Sequence, residues 1–176
     1  GTQGRQLLLF TRTLKPAPFE FSVLKHWVHP SQMVAATSRV FGNEWDGGVT
    51  AYTTDQQQKS CHLPSGCTSI SFVGASSEAV ALSCDDGNVV VLSLSSLGEE
   101  GWRPLQMFAD HENMVSAVRS CPVDANILVS GSVDQTVKVW SLSGDEGDCL
   151  TTLRGTFNSY LTSLSRFHAH THEASK

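Results

Sequence analysis

The chain has 176 residues, 40% hydrophobic and 16% charged, with a formal net charge of −5 and a pI near 5.7. That length supports one domain with a sizeable core, and the balance excludes a disordered or membrane-like chain. The acidic surplus argues against nucleic acid as a primary ligand, since phosphate neutralisation needs clustered cations, and no apolar run approaches bilayer length.

Residues 1–14 read as an N-terminal extension. Gln6 to Phe10 is too short an apolar run for a secretory leader, and the chain starts at Gly1, so a preceding segment is expected. Phe21 to Trp27 is a first predicted strand, with Trp27 packing, and Met33 to Thr37 a second. Asp46-Gly47-Gly48 reads as a turn, which puts Trp45 at a loop tip. A Trp there either anchors a partner through its large rigid area or folds back over its own strands.

The next strands are Cys67 to Phe72 and, around the turn Asp86-Gly87-Asn88, Leu82 onward and Val89 to Leu94. The run Val89-Val90-Val91-Leu92 suggests a strand buried on both faces. Trp102 lies in a linking segment and is expected to pack. Val115 to Ser120 and Ile127 to Ser132 are further strands, and Val133-Asp134-Gln135-Thr136 is a tight turn. Val137 to Leu142 is β-branched and aromatic, as strands prefer. The acidic stretch from Gly144 to Asp148 reads as a solvated hairpin tip. Leu161 and Leu164 would allow a helix, but Thr151, Thr152, Thr156, Tyr160 and Thr162 favour a strand. His168, His170 and His172 could share one face and bind zinc or copper, but the tail 167–176 reads as disordered.

These strands repeat. Moving Cys67–Phe72 and Leu82–Leu94 forward by 48 positions gives Val115–Ser120 and Ser130–Leu142 without a gap; Asp86 falls on Asp134 (134 − 86 = 48). A weaker copy lies upstream, where Asp46–Tyr52 matches Asp86–Leu92 (86 − 46 = 40). The five cysteines, Cys61, Cys67, Cys84, Cys121 and Cys149, are odd in number and lack a CxxC pair. That favours buried free thiols over a metal or disulfide framework, and a reducing compartment, cytosol or nucleus. No metal site or cofactor is expected.

The repeat with Asp110-His111, Ser130, Asp134 and Trp140-Ser141 resembles the WD40 family, with the usual Gly-His and Trp-Asp replaced. The resemblance implies an all-β fold, a partial WD40 β-propeller of about three blades plus the first strand of a fourth, as a fragment of a seven-bladed ring. The blades would span 15–60, 61–108 and 109–157, with 158–166 starting the fourth. An unclosed ring would leave an open strand edge, so downstream sequence is expected. The resemblance also makes His111, Ser130, Asp134 and Trp140 one structural hydrogen-bonded set. A catalytic Ser-His-Asp reading is set aside: the closed set leaves no nucleophile facing a pocket, and there is no GxSxG.

Within the family, Asp110–Val118, Val129–Ser132 and Val137–Trp140 are similar to the WD40 subunit that partners a symmetric-dimethylating protein arginine methyltransferase. This implies a non-catalytic scaffold that presents basic, Arg-rich proteins such as spliceosomal proteins or histones, with Trp45 as the partner-binding residue. Asn43, Glu44 and Asp46 depart from the sequence expected around that Trp. The other reading is a WD40 subunit of a different assembly, such as the nuclear pore or a ubiquitin ligase. An enzyme, lacking a nucleophile motif, phosphate loop or metal set, is the third and least supported.

Overall fold

The computed structural model describes residues 27–29, 32–41, 44–53, 57–74, 78–143 and 148–155. They form twelve strands in three four-stranded antiparallel sheets, each wound as a simple meander. The first sheet holds β1 (Trp27–His29), β2 (Gln32–Phe41), β3 (Glu44–Thr53) and β4 (Gln58–Leu63). The second holds β5 (Cys67–Val73), β6 (Ala79–Cys84), β7 (Val89–Ser93) and β8 (Gln106–Phe108). The third holds β9 (Val115–Ser120), β10 (Ile127–Ser132), β11 (Thr136–Ser141) and β12 (Asp148–Arg154). None of the described residues is helical.

The second and third sheets keep the repeat in register. Ser83 pairs with Val89 and Gly131 with Val137, so both partners move by 48 (131 − 83 = 48; 137 − 89 = 48). Alternation along β7 explains how the sheets stack. Val90 and Leu92 enter a core shared with Val34, Val49 and Leu63 of the first sheet. Val89 and Val91 enter a second core with Val115, Val118, Leu128 and Trp140 of the third. A strand in the middle sheet thus buries both faces, which accounts for its unbroken apolar run.

Polar links cross the second junction. The Thr68 hydroxyl bonds the Val115 carbonyl. The Ser120 N–H donates to Ser71 Oγ at 3.1 Å, and the Gln106 amide donates to the Leu142 carbonyl at 3.2 Å. Gly87, at φ 92°, completes the turn after β6 where a Cβ would sit 2.6 Å from the His111 carbonyl. Only glycine fits both the left-handed backbone and that approach.

The first sheet differs from the sequence expectation. Asp46-Gly47-Gly48 is no turn: it lies inside β3, paired with Arg39, Ser38 and Thr37, and the chain reverses between Phe41 and Glu44. The glycines serve a close approach instead, because a Cβ on Gly47 would lie 2.3 Å from the Ser65 carbonyl. The 40-residue offset therefore matches a strand residue, Asp46, to a turn residue, Asp86. β4 runs to Leu63, so the expected boundary at 60 falls inside a strand. The thiols also differ: Cys67, Cys84 and Cys121 are buried, but Cys61 is half-buried and Cys149 exposed on β12. The expectations for 1–14, for a strand start at Phe21, for the 144–147 tip, for 158–166 and for the His-rich tail lie outside the described residues.

Candidate functional site

The structure brings His111, Ser130, Asp134 and Trp140 together. Ser130 is in the middle of β10, opposite Val118 and Lys138. Trp140 is on β11, Asp134 in the turn between these strands, and His111 in the segment entering β9. The chain is: Trp140 Nε1–H donates to Ser130 Oγ at 2.8 Å, Ser130 Oγ meets His111 Nε2 at 2.7 Å, and His111 Nδ1 meets Asp134 Oδ2 at 2.8 Å. The Asp134 carboxylate can only accept, so the single hydrogen of neutral His111 sits on Nδ1 and its bare Nε2 takes the Ser130 hydroxyl hydrogen. His111 is then the neutral Nδ1–H tautomer, donating to the carboxylate.

Asp134 is the terminus, and nearly all its lone pairs are used. Its Oδ1 accepts from the Thr136 hydroxyl at 2.6 Å and the Thr136 N–H at 2.8 Å, and its Oδ2 also accepts from the Glu112 N–H at 3.0 Å. Burial works to raise the carboxyl, but the hydrogen bonds from Thr136, His111 and the Glu112 N–H together overcome it and hold the group at about 2. His111 goes the other way: burial lowers it below 6.5 despite the neighbouring carboxylate, which keeps it neutral near pH 7. Thr136 escaped the sequence reading, although an Asp followed two residues later by Thr is the signature of a side-chain-capped turn.

Packing fixes the ring. Trp140 is 2% exposed and sits against Phe108 of the second sheet, ring centres 4.8 Å apart, and edge-on to His111 at 5.9 Å. Lys138 on the same strand reaches Asp110 at 2.6 Å and Thr152 Oγ1 at 3.1 Å. The arrangement suits a clamp. Ser130 is 0% exposed and its oxygen already bridges Trp140 and His111, so no substrate carbonyl can reach it.

The second sheet solves the same problem without polar groups. Counting back 48 from Ser130 and Trp140 gives Leu82 and Leu92 of the second sheet, and from His111 gives Leu63 at the end of β4 in the first; all three are in the first core and at most 3% exposed. The fourth position, Asp86, is exposed and caps its own turn, accepting from the Asn88 N–H at 3.0 Å and the Asn88 amide at 2.7 Å.

Trp45 stands apart from this set. Its backbone is in β3, opposite Val40, one residue from the reversal at Glu44. Two residues on, Gly47 packs beside Ser65 and Gly66 at the start of the second sheet. The adjoining Asp46 carboxylate meets His62 Nε2 at 3.1 Å on the exposed surface.

Comparison with known proteins agrees with this geometry. The family described as "WD domain, G-beta repeat" matches residues 102–141. Coatomer subunit beta'-2 of Oryza sativa subsp. japonica is 42% identical over 48 residues, 27% of this chain and 5% of that protein. Coatomer subunit beta'-2 of Arabidopsis thaliana is 38% identical over 48 residues, with the same shares. The chain therefore matches only 5% of the length of these curated relatives. Residues 102–141 are a WD40 repeat, and the three stacked sheets are blades of a partial WD40 β-propeller.

Proposed function

We propose that the chain is a non-catalytic scaffold subunit of a protein arginine methyltransferase complex, the methylosome, that presents Arg-rich proteins such as spliceosomal Sm proteins or histones. WD40 repeats generally mediate protein–protein interaction and are generally non-catalytic. The observation that carries the scaffold reading is the closed network of the third blade, which spends its Ser, His and Asp on holding strands together. The finer reading is supported by the similarity of Asp110–Val118, Val129–Ser132 and Val137–Trp140 to methylosome protein 50. The net charge of −5 suits basic cargo. Work in cytoplasm and nucleus follows from that role.

Trp45 is the anchor we assign to the methyltransferase, and its place beside the β2–β3 reversal supports the assignment. Trp45→Ala is expected to weaken capture of the enzyme by roughly 2 kcal/mol or more, the scale of an aromatic hot spot. A pull-down in which the variant retains the enzyme as well as the native chain would refute it. The coatomer matches favour a second reading, a WD40 interaction subunit of another multiprotein assembly, with a coat beside the nuclear pore or a ubiquitin ligase as candidates. Affinity purification from cells separates the two: the methyltransferase co-purifies under the first and is absent under the second.

A further inference from the structure

Cys67 and Cys84 face each other across the β5–β6 ladder. The Cys84 N–H points away from β5, donating to the Asn88 carbonyl at 2.9 Å, while one step outward the Asp85 N–H donates to the Gly66 carbonyl at 3.0 Å. Cys67 and Cys84 are therefore a non-hydrogen-bonded pair, the kind whose Cα atoms approach to about 4.5 Å with side chains closest. Disulfides accept Cα separations from about 4.4 Å, so a pair of this kind falls within their range, here beside a register shift between Cys67 and Ser69.

Both thiols are buried in the same core, Cys67 1% and Cys84 0% exposed. The neighbouring Cys67 thiol draws the Cys84 thiol below its ordinary value; burial opposes this and Ser65 adds to the lowering. Cys67 is driven far above its ordinary value, first by the neighbouring Cys84 and then by burial. Cys61, nearby on β4, is pushed up to about 11 by burial.

We propose that Cys67 and Cys84 are an oxidative modification site, at which a hydroperoxide converts the opposed thiols into a cross-strand disulfide. In the first step Cys84 sulfur attacks the terminal peroxide oxygen. The O–O bond breaks, the thiol proton leaves with the departing oxygen as water or an alcohol, and Cys84 becomes a sulfenic acid. In the second step Cys67 sulfur attacks the Cys84 sulfur, the S–O bond breaks, and the Cys67 proton leaves with the oxygen as water. Two electrons pass from the thiols to the peroxide, and the S–S bond forms. Both sulfurs lie in the core, but exposed Pro64 and Asp86 flank the pair, so opening of the 85–88 turn admits a small oxidant. The bond would fasten β5 to β6 within the core shared with the first blade, where Val49 and Leu63 pack.

The test treats the full native chain with hydrogen peroxide and, in parallel, with diamide, then maps non-reduced peptides by mass spectrometry. The expected product is one dominant Cys67–Cys84 linked peptide, reversed by dithiothreitol, accompanied by a higher thermal midpoint than the reduced form. In Cys67→Ala a dimedone probe should label Cys84, and in Cys84→Ala the link should vanish. If these variants fail to fold, the native map decides alone. Linkage through Cys61 or Cys149, Cys84 driven on to sulfinic acid unlinked, or a link that forms only in denaturant would each overturn the proposal.

Discussion

Ser130→Ala tests whether the third blade is held by its polar chain. The hydroxyl is 0% exposed and serves two groups, accepting from Trp140 Nε1–H at 2.8 Å and meeting His111 Nε2 at 2.7 Å. Deleting it orphans a buried donor and a buried acceptor. Each such orphan costs about 1–3 kcal/mol, so the loss should be roughly 2–6 kcal/mol, large against a domain's whole stability. The void left by one oxygen adds little. Trp140→Phe removes the indole donor but leaves Ser130 and His111 joined. The double variant should therefore cost less than the sum of the singles, by about 1–2 kcal/mol, because the indole can be orphaned only once. Urea unfolding followed by near-ultraviolet circular dichroism, with a shared m-value, measures all three. Ser130→Ala within about 0.5 kcal/mol of the native chain, the range of a surface change, or strictly additive singles, would refute the reasoning.

Three further outcomes follow. His111 titrates below 6.5 in the fold, so on acidification the unfolded chain takes its proton first and stability falls as pH drops below 6.5. Asp134, held at about 2 against an ordinary 3.8, adds a second loss between those values; urea midpoints against pH should show both declines, and Asp134→Asn should lack the second. Gly87→Ala forces a side chain into φ 92° and against the His111 carbonyl, and should cost about 1–3 kcal/mol by thermal melting, whereas Gly101→Ala, with open space around it, should cost only its backbone strain. Asp110→Ala should cost about 1–2 kcal/mol by urea unfolding, because it leaves the Lys138 ammonium, 8% exposed, with Thr152 Oγ1 as its remaining partner.

The second and third blades were legible because their turns carry local chemistry. Asp86-Gly87-Asn88 and Asp134-Gln135-Thr136 each cap themselves, so strand ends could be placed from sequence to within a residue or two. The His111, Ser130, Asp134 and Trp140 set was implied by the family resemblance. Thr136 was missed because a turn threonine looks generic until its hydroxyl is seen on the Asp134 carboxylate. The first blade was misread at Asp46-Gly47-Gly48 because glycine signals two different needs, a bend or a close neighbour. Only tertiary structure, here the Ser65 carbonyl beside Gly47, tells them apart.

Exchanging His111, Ser130 and Trp140 for Leu63, Leu82 and Leu92 gives adjacent blades different sensitivities. Protons can loosen the polar clamp of the third blade but find nothing to titrate among the leucines. Cooling weakens contacts between hydrocarbons and bears hardest on the second blade. A stress that reaches one of these two junctions therefore acts on a different chemistry from its neighbour's, and β7 is the strand through which the two are joined.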